Sequence, residues 1–219
     1  MSRRARHNSN DLRELFIDST TGLISEHGLA AISARTIARK IGYTAGSLYN
    51  VFQDLDDLLL LTEGRQLERL HAELTEALAG KSGEERLRAA ASHYLRFCLD
   101  NSRLWNLVVV HQTGPNKALP PWYTEKLDAL VAVFDDALVS QVPDPVARAQ
   151  NARALWASVH GIASLIISGK APNLTAAEAG PMLDGIVSAF QKGLRPDAGS
   201  QARSRPAKPA NTEAHVHNG

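Results

Sequence analysis

The stretch Ser33-Ala-Arg-Thr-Ile-Ala-Arg-Lys-Ile-Gly42-Tyr-Thr-Ala-Gly-Ser-Leu-Tyr-Asn-Val-Phe52 reads as two short helices joined by a tight turn. Ser33 suits the cap of the first, because its hydroxyl accepts from an otherwise unpaired amide. Ile37, Ala38 and Ile41 then share one face. Ala38 is small where a second helix must approach closely. Gly42 follows the last apolar residue, where a left-handed conformation is wanted and a Cβ is penalised. Thr44 suits the cap of the second helix, whose inward side is Leu48, Val51 and Phe52. Two short helices at a steep angle, the first one basic, form a DNA-reading unit. An ordinary helical hairpin shares part of this pattern; the ordered set Ala38, Gly42, Leu48, Val51 separates the two.

The flanks extend the pattern. Leu12, Leu15, Phe16, Ser19, Leu23 and Ile24 form one helical stripe that Gly28 ends. Asp54 suits the cap of a long helix, with Asp56 and Asp57 near the positive end of its dipole. With Ile37-Ala38, Gly42-Tyr43-Thr44, Gly46-Ser47-Leu48-Tyr49, Phe52 and Asp57-Leu58-Leu59 in this order, residues from about 9 to 60 resemble the N-terminal domain of TetR/AcrR-type transcriptional regulators. Ala154-Leu-Trp-Ala-Ser-Val-His-Gly161 is similar to the Trp-His-Gly-type C-terminal domain of one branch of that family, with Val159 in place of its tryptophan. The resemblance departs in one place. The family often carries a lysine early in its fourth helix, and here Gln53-Asp-Leu-Asp-Asp57 holds no cation.

The chain has 219 residues, 44% of them hydrophobic, which is enough to bury a sizeable core. Its net charge of +1 excludes polyanion binding by bulk charge. The basic residues are placed instead: Arg3, Arg4 and Arg6 before the first helix, and Arg35, Arg39 and Lys40 on the first short helix. A single cysteine excludes an intrachain disulfide. No apolar run is long enough to span a bilayer, and the start lacks a signal-peptide core, so a cytoplasmic protein is expected.

The remainder reads as helix after helix, about nine in all, without strand alternation or repeats. Ser82-Gly-Glu-Glu85 and Thr175-Ala-Ala-Glu178 have the form of capping boxes, and Asn101 suits another cap. Gln112 to Pro121 is a loop rich in Gly and Pro. The expected fold is all-α. Residues 1–8 form a disordered basic arm and 9–54 a three-helix helix-turn-helix DNA-binding domain. Residues 55–195 form a helical ligand-binding and dimerisation domain, and 196–219 a disordered tail carrying His215 and His217.

Arg35, Arg39 and Lys40 suit phosphates, and Thr36 can donate its hydroxyl. Thr44, Ala45, Gly46, Ser47 and Asn50 face outward on the second short helix. The Ala and Gly permit close approach, Ala45 can meet a thymine methyl, and Asn50 can pair with adenine. The resemblance assigns Tyr49 a phosphate contact. It also implies a sequence-specific regulator, commonly a repressor, that is not an enzyme and binds double-stranded palindromic DNA as a homodimer. It implies an unidentified small-molecule effector, with no cofactor, metal or membrane partner. Phe97, Trp105, Trp122, Tyr123, Phe134, Trp156 and His160 are the expected pocket. The last two long helices carry more apolar surface than one side can bury. Leu155, Val159, Ile162, Ile166, Ile186 and Phe190 are the expected dimer interface.

A redox- or metal-responsive regulator is the nearest rival, through Cys98 or the histidines. A helical-bundle enzyme is the next, through Glu68-Arg-Leu-His71, an E-x-x-H without the partner motif a di-iron site needs.

Overall fold

The computed structural model describes residues 9–114 and 117–194. The expected arm with Arg3, Arg4 and Arg6 and the expected tail with His215 and His217 lie outside the described residues. Within them there are nine α-helices and no strand: α1 (Ser9–His27), α2 (Ala34–Lys40), α3 (Ala45–Tyr49), α4 (Leu55–Ala77), α5 (Gly83–Asp100), α6 (Ser102–Val110), α7 (Pro121–Leu138), α8 (Pro145–Ile167) and α9 (Ala176–Leu194). No helix among the described residues is long and apolar enough to cross a membrane.

The α2–α3 turn forms by local chemistry. The Ser33 hydroxyl accepts from Thr36 N at 3.1 Å, and Thr36 Oγ1 accepts from Ser33 N at 2.9 Å, a reciprocal cap. Gly42 takes φ +74°, and Tyr43 N donates back to Ala38 O at 2.8 Å, closing the C-terminus. Ala38 and Leu48 are fully buried between the two helices. They join Phe16, Ile37, Phe52 and Leu58 in a small core of their own.

α4 starts at Asp54, whose carboxylate accepts from Asp57 N at 2.8 Å. Its first turns complete the small core through Leu58, and its later turns enter the body core through Leu67, Leu70 and Leu74. One rigid element thus belongs to both units. Arg65 on α4 reaches Glu14 and Asp18 on α1 as a second tie. A third joins α6 to α1: Ile24, Leu59, Leu104 and Leu107 form a bridging apolar cluster. Arg103 Nη1 donates to Ser25 O at 2.9 Å and Glu26 O at 2.7 Å, at the carbonyl end of α1.

Two expected caps are made differently. Ser82 stands at the N-cap of α5 without a side-chain bond. Asn101 turns its amide to Phe97 O and its carbonyl oxygen to Arg69, finishing α5 instead of capping α6. At Thr175, Glu178 accepts from the backbone N at 2.9 Å as expected.

Candidate functional site

Arg35, Arg39, Lys40, Thr44, Gly46, Tyr49 and Asn50 are exposed on α2, α3 and their flanks; Thr36, Ala45 and Ser47 are half-buried. Arg35 and Arg39 carry no ion pair among the described residues. Tyr49 is 56% exposed, a large ring held in solvent. Three expectations need correction. The Thr36 hydroxyl is committed to the α2 cap, donating to Ala31 O or Ser33 O, so its first role is structural. Lys40 Nζ pairs with Glu26 Oε1 at 3.0 Å, which holds the Glu26 carboxyl below its ordinary range and offsets the lysine charge. Thr44 does not cap α3 with its side chain; its hydroxyl pairs with Ser47 Oγ at 3.1 Å.

The cation missing from the start of α4 is supplied from elsewhere. Lys117, on the loop between α6 and α7, reaches Asp54 at 2.8 and 3.0 Å. That pairing lowers the Asp54 pKa and raises that of Lys117. Because Asp54 also caps α4, the charge is spent on anchoring the loop to the helix start.

The expected pocket residues divide. Phe97, Trp105 and Phe134 are buried in the body core, packed among its side chains. Trp122 lies over Gly64, in an open cleft with Lys126 above its ring. Tyr123, Trp156 and His160 do line a common cavity of about 240 Å³, with Leu60, Val108, Leu119 and Leu127 on its apolar sides. The His160 ring stacks on Trp156 at 5.4 Å, and the Tyr94 hydroxyl lies 3.0 Å from His160 Nδ1. Burial holds the His160 pKa below its ordinary value.

Glu63 and His111, also in the wall of this cavity, were not singled out by sequence. Glu63 is 2% exposed, on α4. It accepts from Tyr123 Oη at 2.6 Å and from His111 Nδ1 at 2.5 Å. His111, at the end of α6, also faces Asp56 through Nε2 at 3.4 Å. The hydrogen bond to Glu63, then the two carboxylate charges, raise the His111 pKa against the opposing effect of burial. α4, α7 and the end of α6 therefore meet at one carboxylate. No local spacing betrays this, because Glu63, His111 and Tyr123 are far apart in sequence.

The expected dimer residues also divide. Leu155, Val159 and Ile162 are buried in the body core, a correction to their expected role. Ile166, Ile186 and Phe190 pack on its edge and remain half-buried. The outward faces of α8 and α9 carry other residues. Val146, Leu165 and Met182 are 66%, 46% and 41% exposed, alongside exposed Ala154, Ala157, Gly185 and Ala189.

Cys98 is buried, and desolvation pushes its thiol far above the ordinary range, which makes it a poor nucleophile. Glu68 is exposed and pairs with Lys126 at 2.5 Å, so Glu68 and His71 are a helix face rather than a ligand pair. No group of three or more His, Cys, Asp or Glu able to hold a metal occurs among the described residues.

Two family models match this chain: bacterial regulatory proteins of the tetR family over residues 16–61, and the tetracyclin repressor-like C-terminal domain over residues 87–190. Solved structures share the fold across most of the chain. A protein of unknown function from Rhodococcus sp. RHA1 is 22% identical with a TM-score of 0.66, covering 88% of this chain and 98% of that one. A TetR transcriptional regulator from the same organism is 16% identical at TM-score 0.64, covering 87% and 100%. The transcriptional regulator FadR from Bacillus subtilis, in complex with stearoyl-CoA, is 16% identical at TM-score 0.61, covering 83% and 99%.

Proposed function

The chain belongs to the TetR family of bacterial regulatory proteins, and from that premise we propose that it is a ligand-responsive repressor acting as a homodimer on a palindromic operator. Residues 9–54 are its reading head and 55–195 its effector-binding and dimerisation body. Arg35, Arg39 and Tyr49 take phosphates. Lys40 joins them by exchanging Glu26 for a phosphate. Ala45, Gly46, Ser47 and Asn50 face the major groove, with Thr44 at its rim. The outward faces of α8 and α9, with Ile166, Ile186 and Phe190 at their margin, pair with a second copy. Their small residues let two such helix pairs approach closely.

The observation that carries ligand response is that one wall of the cavity is the helix that holds the reading head. Glu63, in that wall, lies on α4 less than two turns from Leu58 in the DNA-binding core. A ligand that changes the bonds at Glu63 biases the pose of α4. α6 supports the same route, since it touches α1 through Arg103 and the cavity through Val108 and His111. The effect is a population shift, and it requires that the ligand bind the two poses unequally. Long-chain acyl-CoA, held by the FadR neighbour, is not carried over: this cavity is small and its lining includes no Lys or Arg for phosphates.

Selection of bound sequences from a random duplex library at physiological salt tests this function. The expected product is a palindrome with half-sites about one helical turn or more apart. Recovery of sequences without dyad symmetry overturns the dimeric operator reading.

A further inference from the structure

The cavity among α4, α6, α7 and α8 has a carboxylate at its inner wall and aromatic rings around it. An ionised carboxylate offers about four acceptor sites. Glu63 has two donors, Tyr123 Oη and His111 Nδ1, so acceptor capacity remains. Glu63 is the carboxylate in the lining; Asp56 lies outside it and faces His111 from the other ring nitrogen. Burial disfavours the charged form of His160, the other titratable ring in the lining. An anion entering here would be desolvated beside the Glu63 carboxylate. A cation gains the carboxylate and lies among the aromatic side chains of Trp156 and Tyr123.

We propose that the effector is a compact lipophilic cation, an apolar or aromatic body carrying a protonated amine or amidine. Its N–H groups are accepted by Glu63, and its body packs against Leu60, Val108, Leu127 and Trp156. The volume of about 240 Å³, roughly eight waters at about 30 Å³ each, suits a compact body of a single ring. The cation competes with His111 for Glu63, so its entry loosens the tie between α4 and the end of α6. This inference rests on the body being an effector domain.

Three probes of one shape separate the alternatives: 4-methylbenzylammonium, 1-ethyl-4-methylbenzene and 4-methylbenzoate, titrated into the full chain with tryptophan fluorescence and ligand-observed NMR. The cation is expected to bind at least about tenfold more tightly than either isostere, a gap typical of one charge-assisted hydrogen bond. Leu127→Trp, which fills the cavity, is expected to abolish that binding. Glu63→Gln is expected to bring the cation to the level of the hydrocarbon while circular dichroism stays unchanged. Comparisons within the unaltered chain stand even where a variant fails to fold. Equal or tighter binding of the hydrocarbon or the benzoate, lost in Leu127→Trp, means that the cavity is a site and the cationic class is wrong. Cation binding that survives Leu127→Trp overturns the location. Binding by none of the three overturns the cavity as an effector site and the body reading with it.

Discussion

Single residues divide by whether their role is local. Gly42 was legible because a helix end followed by a glycine is a backbone statement, and the observed φ of +74° agrees. A Cβ at Gly42 would meet nothing within 4 Å. Gly42→Ala therefore costs conformational strain alone, about 1–2 kcal/mol, and thermal unfolding should show it as a lowered midpoint. Tyr49 is exposed as its proposed role requires. Tyr49→Phe should weaken operator binding by about 1 kcal/mol per reading head, read in a mobility-shift titration; unchanged affinity removes the phosphate role. Thr36 looked like a phosphate donor because sequence cannot show that its hydroxyl is engaged by Ser33 and Ala31. His111 was invisible for the opposite reason, its partners Glu63 and Asp56 being distant in the chain. Its folded pKa is raised, so its pairing stabilises the fold fully below the unfolded value of about 6.5 and is lost as pH rises through the folded one. The folded pKa of His160 is lowered, so its contribution is lost as pH falls through about 6.5 toward that lower value. Denaturant titrations across pH should give a stability maximum near the ordinary histidine range. In His111→Gln the loss on the alkaline side should vanish while the acid side persists.

At the scale of elements, sequence located every long helix, but on α8 three residues expected to face a partner turn to the body instead. α8 and α9 are apolar around much of their circumference, so periodicity alone does not say which stripe meets the body. Leu155, Val159 and Ile162 took the core, and smaller residues such as Ala154, Ala157 and Gly185 remained outside. The body had already filled its interior with Trp105, Tyr94 and Phe134, which demand large apolar partners. Two substitutions separate the faces. Leu155→Ala should cost about 2–5 kcal/mol of stability, measured by denaturant unfolding. Leu165→Glu puts a charge on the outward face, where Leu165 is 46% exposed. It should leave the protomer folded and shift sedimentation from dimer to monomer; an unshifted dimer would place the interface elsewhere. α6 was legible as a helix but not as a connector. Its importance lies in Arg103 at one end and His111 at the other, each paired with a different unit.

Across the whole molecule, the proposed response is a coupling between two sites and must be reciprocal. α4 spans both cores, and α6 bridges them through Leu104, Leu107 and Arg103. A ligand at Glu63 can act on operator affinity only by the ratio with which it prefers one pose of these helices. If it weakens operator binding by a given factor, the operator must weaken ligand binding by that same factor, whatever the path between them. Coupling of this kind is commonly about 1–3 kcal/mol, or roughly 5–150-fold. The measurement is a ligand titration of the dimer with and without saturating operator, followed by an operator titration with and without ligand. The two ratios should agree. In Arg103→Ala, which removes the α6–α1 hydrogen bonds without touching the cavity or the reading face, both should shrink together while ligand affinity in the absence of DNA is kept. Undiminished coupling in that variant would leave α4 as the sole transmitter. Equal ligand affinity with and without operator would mean that the cavity, though occupied, has no bearing on the grip on DNA.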